Sequence, residues 1–188
     1  MFISGVSGVF SKSNLKRGLK LLFFALIITI ITFFMGSDYF ISFGILHFLG
    51  TSILLYAVTQ KYMDRIPYIV GAIVCFGLFI ILKVTPELYY ISGSTKSFLK
   101  FALGIYHYGF ISTDYYPMIP WIFVFFSGSF FGKYLISKKE KECLLRENSK
   151  SLSFIGKNTI AIYLVHQPIV YGIMFVLYNC VRNNLCGI

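Results

Sequence analysis

Two histidines lie within apolar stretches of the chain, where an ionisable side chain is costly and is therefore a candidate functional group. His47 lies seven residues into the apolar run that begins at Phe40, and His166 lies seven residues into the run that begins at Thr159. An imidazole in such a place could accept a proton during a group-transfer reaction. It could equally be a hydrogen-bonded core residue that joins two helices. The histidines by themselves leave both interpretations open.

A carboxylate that could act with the first histidine is Asp114, at the start of the segment Asp114 to Trp121. An aspartate that holds an imidazole in one tautomer is what a general base needs, so we predict that Asp114 orients His47. The alternative is structural, because a carboxylate near the start of a helix can cap its N-terminus without any catalytic role.

Two other groups of residues are candidates for binding a cofactor. Gln167 and Pro168 follow His166, and a proline removes a backbone donor, which predicts a broken helix beside a cavity. A basic cluster near the N-terminus could bind the phosphates of a nucleotide, although contact with anionic lipid explains it as well. The members of this cluster are Lys12, Lys16, Arg17 and Lys20.

The composition predicts that these residues are positioned by membrane helices. The chain is 57% hydrophobic and 13% charged, and its mean hydropathy is +0.76. Apolar runs near the roughly 20 residues that cross a bilayer predict five full spans, whereas Met1 to Phe10 is half that length and resembles the end of a helix. The sequence thus predicts an all-α, polytopic transmembrane bundle, with spans at Leu19 to Gly36, Phe40 to Val58, Ile66 to Leu82, Ile119 to Ile136 and Thr159 to Cys180.

The basic residues predict the orientation of these spans. Most of the 17 lysines and arginines fall in the first, third and fifth connections, which the positive-inside rule assigns to the cytoplasm. His47 would then lie about 10 Å below the outer boundary and His166 about 10 Å above the inner one, so the two serve different sides. The net charge of +10 lacks the basic stripe of a nucleic-acid-binding domain, and we expect no nucleic-acid partner.

Four stretches, in order along the chain, resemble the bacterial membrane proteins grouped with the catalytic domain of heparan-α-glucosaminide N-acetyltransferase. Each stretch is weak alone, but the ordered set of GILHFLG, DYxPxIPW and IYLVHQP is fairly specific. The stretches are FISGVSGVFSKSNLKRG (Phe2 to Gly18), FGILHFLGTSILL (Phe43 to Leu55), DYYPMIPWIFVFFSGSFFGKYL (Asp114 to Leu135) and IGKNTIAIYLVHQP (Ile155 to Pro168).

The resemblance implies a transferase that moves an acetyl group from cytoplasmic acetyl-CoA to a sugar amine or hydroxyl across the membrane. By position it implies His47 and Asp114 near the acceptor, with His166 and Gln167 near the thioester. We therefore predict His47, Asp114 and His166 as catalytic residues, and Gln167, Lys12 and Arg17 as residues that bind acetyl-CoA. No metal is expected.

The resemblance also implies a span before Met1 that carries the histidine identified as catalytic in the animal enzyme, and no residue of this sequence matches it. We therefore expect residues 1–188 to form a single, N-terminally incomplete transmembrane domain in a cell membrane, such as the bacterial plasma membrane. Expected partners are membrane lipid and a glycan or amine, and association with a second copy stays open. The alternative functions are a transporter that uses the histidines as a proton relay, or an inactive member of the family.

Overall fold

The computed structural model describes residues 1–35, 41–85, 102–104, 114–138 and 159–185. Every regular element in these ranges is a helix, which confirms the predicted all-α class. The long helices coincide with the apolar runs of the sequence. They are α1 (Phe2–Phe10), α2 (Asn14–Met35), α3 (Ile45–Met63), α4 (Tyr68–Val84), α5 (Met118–Ser137) and α6 (Thr159–Leu185).

The chain divides into two compact units. Met1–Lys141 contains α1 to α5, and Glu142–Ile188 contains α6. His47 and Asp114 both belong to the first unit.

Two helices in the described part of the chain are long and apolar enough to cross a membrane, and α4 is an apolar but shorter helix. The two are Asn14–Phe34 of α2 and Met118–Ser137 of α5. The other predicted spans rest on the apolar runs of the sequence alone.

The start of α3 differs from the sequence prediction. The apolar run begins at Phe40, but Gly44 is extended (φ −89°, ψ −175°) and the helix begins at Ile45. Hydrophobicity alone could not locate this start, because the residues from Ile41 to Gly44 are largely apolar without being helical. His47 therefore lies in the first turn of α3, and the rise of 1.5 Å per residue assumed from Phe40 does not apply to residues 41–44.

Glycines allow the backbones of α1 and α5 to meet. A Cβ atom added at Gly5 would overlap the Phe125 carbonyl oxygen, and one at Gly128 would overlap the carbonyl oxygen of Phe2. At Gly132 it would lie 3.2 Å from the Cα of Val6. The close approach that the spacing of Gly128 and Gly132 permits is therefore observed, and it anchors the short helix α1.

The other helices of this unit pack in pairs. α4 packs against α5, and α2 against α3, where Gly18 approaches Leu54 and Gly50 approaches Leu22. α3 also contacts α5. Fully buried side chains join these helices into one core, among them Tyr56, Phe48, Phe125 and Ile53.

Candidate active site

The imidazole of His47 lies at the junction of α2 and α3. Its side chain is 7% exposed, and its ring centre lies 5.6 Å from that of Phe43. The Nε2 atom is 3.3 Å from the Oγ1 atom of Thr29 on α2, within hydrogen-bonding distance. The first turn of α3 thus places the imidazole against a polar group of the neighbouring helix.

Two threonines of α2 fix the chain where it approaches α3. Thr29 donates its hydroxyl hydrogen to the carbonyl oxygen of Ile41 at 2.9 Å. The backbone N–H of Ile41 donates to the Oγ1 of Thr32 at 3.3 Å. Because the two threonines are almost one turn apart, both backbone groups of Ile41 are held against one face of α2.

Asp114 lies at the same end of α3 as His47, as predicted, and it contacts the backbone of the helix. Its Oδ2 atom accepts a hydrogen bond from the backbone N–H of Ile45 at 3.3 Å. A Cβ atom added at Gly44 would come within 2.7 Å of the same oxygen, so glycine leaves room for the carboxylate. Asp114 is therefore placed as an N-terminal cap of α3, where it also interacts with the helix dipole.

The hydrogen-bond partner of His47 in the described residues is thus Thr29 rather than Asp114. Among the described residues, the hydrogen bond expected between Asp114 and the imidazole is therefore replaced by a contact with a threonine hydroxyl.

Backbone contacts bring two of the motifs from the sequence together. The N–H of Tyr116 donates to the carbonyl oxygen of Phe43 at 3.0 Å. The Tyr116 ring lies between those of Phe48 and Trp121, with centres at 6.4 and 5.4 Å. The segment that begins at Asp114 therefore covers the start of α3 and the histidine in its first turn.

The family model for heparan-α-glucosaminide N-acetyltransferase, catalytic, matches residues 1–168 of this chain. The chain belongs to this family. No curated protein and no solved structure gives a significant match. The match covers α1 to α5 and reaches His166, Gln167 and Pro168 on α6, so every predicted site residue lies inside the acetyltransferase-family region.

The basic residues predicted to bind acetyl-CoA lie away from His47. Lys12 is exposed in the connection between α1 and α2, and Arg17 donates a hydrogen bond to the Oγ of Ser7 at 3.0 Å. Arg17 precedes Thr29 by twelve positions on α2, which corresponds to about 18 Å along the helix. If Arg17 and His47 both contact substrates, they contact parts of the substrates that are far apart.

His166 and Gln167 belong to the second unit and lie on α6. α6 continues through Pro168 to Leu185, so the predicted break of the helix at this proline is not present. Two further polar residues of the chain, His107 and Asp38, lie outside the described residues, as do most of the tyrosines between Lys83 and Met118.

Sequence reasoning missed a second polar cluster, at the other end of α3. Lys133 of α5 is 9% exposed, and its Nζ atom lies 2.6 Å from the Oδ1 of Asp64 and 3.0 Å from the carbonyl oxygen of Gln60. The same atom lies 5.6 Å from the centre of the Tyr56 ring. These four residues line an open cavity of about 350 Å³. The sequence did contain a feature that could have predicted this cluster, namely a lysine within the predicted span Ile119 to Ile136. A charge at such a position is costly unless it is paired.

Proposed function

We propose that this protein is a multi-pass membrane acyltransferase that transfers an acyl group from acyl-CoA to an amine or hydroxyl of an envelope glycan. The observation that carries the proposal is the match of residues 1–168 to the catalytic domain of an acetyltransferase family. Acetyl-CoA is the proposed donor, and a hexosamine is the simplest acceptor of the required chemistry.

In the proposed reaction, His47 acts as the general base. The acceptor nitrogen or oxygen attacks the thioester carbonyl and gives its proton to the imidazole. The tetrahedral intermediate then collapses, the carbon–sulfur bond breaks, and the proton passes from the imidazolium to the CoA thiolate. Asp114 would stabilise the imidazolium through its charge. The roles expected from the sequence for His166 and Gln167, on the second unit, stay predictions.

The surface of the first unit supports a location within the membrane. Large apolar side chains are exposed along α2 and α4, including Phe23, Phe34, Ile73 and Ile81. Exposed apolar surface of this extent is typical of contact with lipid or with another apolar surface. The predicted orientation places the start of α3 near the outer face, which suits an acceptor outside the cytoplasm, and the basic N-terminal cluster near cytoplasmic acyl-CoA.

The proposal is tested with the purified chain in detergent and in lipid vesicles, using radiolabelled acetyl-CoA as donor and glucosamine as acceptor. We expect N-acetylglucosamine and free CoA in equal amounts. His47→Ala should lower the rate by about a hundredfold or more, which is the contribution of a positioned acid–base group. His107→Ala is the matched histidine control, since the sequence places His107 in an external connection.

Each variant is first checked for folding by size-exclusion chromatography and by the fluorescence of Trp121, the single tryptophan. Full activity of a folded His47→Ala variant would exclude His47 as the base. Proton-coupled flux of a solute into vesicles without any acyl-CoA would instead favour the transporter function.

A further inference from the structure

The hydroxyl of Thr29 makes two contacts, and it has only one hydrogen to donate. Its Oγ1 atom is 2.9 Å from the carbonyl oxygen of Ile41, which can only accept a hydrogen bond. The hydrogen of Thr29 must therefore point at Ile41. Toward the Nε2 atom of His47, at 3.3 Å, the same oxygen can then only accept. This contact is then a hydrogen bond only if His47 carries a hydrogen on Nε2.

We propose that Thr29 is a positioning residue that holds His47 as the Nε2–H tautomer, so that Nδ1 is the nitrogen that takes the proton of the acceptor. The assignment of Nδ1 as the base rests on the proposed acyl transfer, whereas the tautomer itself follows from the contacts of Thr29. A neutral imidazole has one protonated and one unprotonated nitrogen, so fixing the first determines the second.

The backbone around Thr29 keeps its hydroxyl from turning. Ile41 is held by a second hydrogen bond, from its N–H to the Oγ1 of Thr32. Thr32 in turn donates to carbonyl oxygens of its own helix, those of Ile28 at 2.9 Å and Thr29 at 3.1 Å. Rotating the Thr29 hydroxyl toward His47 would break its own 2.9 Å hydrogen bond to Ile41, which is unfavourable whether or not Thr32 is also bound.

This arrangement also suits both charge states of the imidazole. When Nδ1 accepts a proton, Nε2–H still donates to Thr29, so the hydrogen bond survives the reaction. The ring does not have to reorient between the neutral and the protonated form. A base positioned in advance needs no reorganisation at the moment of proton transfer.

The test uses protein labelled with ¹⁵N in its histidines, purified in detergent, and measures the imidazole nitrogen shifts at a pH where the rings are neutral. His47→Gln identifies the signals of His47. In the wild-type chain we expect protonated Nε2 and unprotonated Nδ1. Thr29→Val, which has nearly the same shape, should give a mixture of tautomers, and Thr29→Ser should restore the wild-type pattern.

Thr32→Val is the matched control for the backbone, because it removes a hydrogen bond to Ile41 but leaves the hydrogen-bond acceptor of His47 in place. We expect it to keep the wild-type tautomer. A hydrogen on Nδ1 in the wild-type chain would overturn the inference. So would a Thr29→Val spectrum identical to the wild-type spectrum.

The catalytic part of the inference is measured by acetyl transfer from acetyl-CoA to glucosamine. Thr29→Val should lower kcat at least in proportion to the fraction of His47 that loses the Nε2–H tautomer, about twofold for an equal mixture, with rescue by Thr29→Ser. Unchanged kcat in a variant with mixed tautomers would overturn the role of Nδ1. If the wild-type chain transfers no acetyl group, the proposed function fails, while the nitrogen shifts still decide whether Thr29 sets the tautomer.

Discussion

The two ends of α3 carry polar sites of different kinds. At its start, His47 is hydrogen-bonded to a neutral hydroxyl, and the nearby carboxylate of Asp114 is used by the backbone of the helix. At its end, Asp64 is in direct contact with the ammonium group of Lys133, a residue from α5. The first site holds an ionisable ring without fixing its charge, whereas the second pairs two opposite charges.

This difference bears on what each site can do. A general base must gain and lose a proton, so a neutral partner that tolerates both states is an advantage. A lysine in a carboxylate pair, bound also to a carbonyl oxygen and facing an aromatic ring, is stabilised as a cation. We therefore expect the start of α3 to affect catalysis and its end to affect stability.

At both ends of α3, the two partners that meet are separated by the same number of residues in the sequence. Asp114 and Ile45 are 69 residues apart, and so are Lys133 and Asp64. A constant offset means that α3 and the segment from Asp114 to Lys133 run in the same direction, side by side. This agrees with the orientation predicted from the basic residues, in which both spans begin at the outer face.

Among the changes to polar groups at the two ends of α3, the largest effect on stability is expected from breaking the ion pair at its exposed partner. Asp64 has a side chain that is 57% exposed, whereas Lys133 is 9% exposed. Asp64→Asn leaves a buried ammonium with weaker partners and should cost about 1–3 kcal/mol of unfolding free energy. Lys133→Met leaves only a solvated carboxylate and should cost less. Thermal unfolding in detergent, followed by Trp121 fluorescence, measures both.

Equal losses in these two variants, or a larger loss in Lys133→Met, would contradict the assignment of the lysine as the buried partner. Neither variant should change the ¹⁵N shifts of His47, because the two sites are separated by seventeen positions of α3, about 25 Å along the helix.

A smaller effect is expected at the opposite end, where two variants separate capping from charge. Asp114→Ala removes the acceptor for the N–H of Ile45 and should cost about 1 kcal/mol of stability, the usual value for a lost cap. Asp114→Asn keeps an acceptor oxygen and should retain most of that stability. Acetyl transfer then discriminates between the two roles of the carboxylate.

If Asp114→Asn is stable but slow, the charge of the carboxylate contributes to catalysis. If it is both stable and active, the residue is a cap alone, and the general base of the proposed reaction works without a charged partner.

The smallest effect is expected from Tyr56→Phe. This change keeps the ring that faces Lys133 and the edge-to-face contact with Phe125, whose ring centre is 6.4 Å away. We expect a loss of stability below about 1 kcal/mol. Tyr56→Leu, which removes the ring from a fully buried position, should cost about 2 kcal/mol or more in the same unfolding assay. Similar losses in the two variants would show that the hydroxyl, rather than the ring, is the important group.

Much of the architecture could be predicted from the sequence, because it depends on local patterns. Apolar runs located α2, α4, α5 and α6 to within a few residues. The all-α class follows from the requirement that an apolar segment in lipid satisfies its own backbone hydrogen bonds. His47 and Asp114 were also correctly expected at the same end of a helix.

The partners of these residues were decided by the tertiary structure alone. Nothing in the sequence pairs His47 with Thr29 rather than with Asp114, or Asp64 with Lys133, because each pair joins two separate helices. The start of α3 at Ile45 depends in the same way on contacts of Phe43 and Ile45 with a distant segment. Hydrophobicity determines which segments become helices, but hydrogen bonds between helices depend on their register and rotation, which only the packed core fixes.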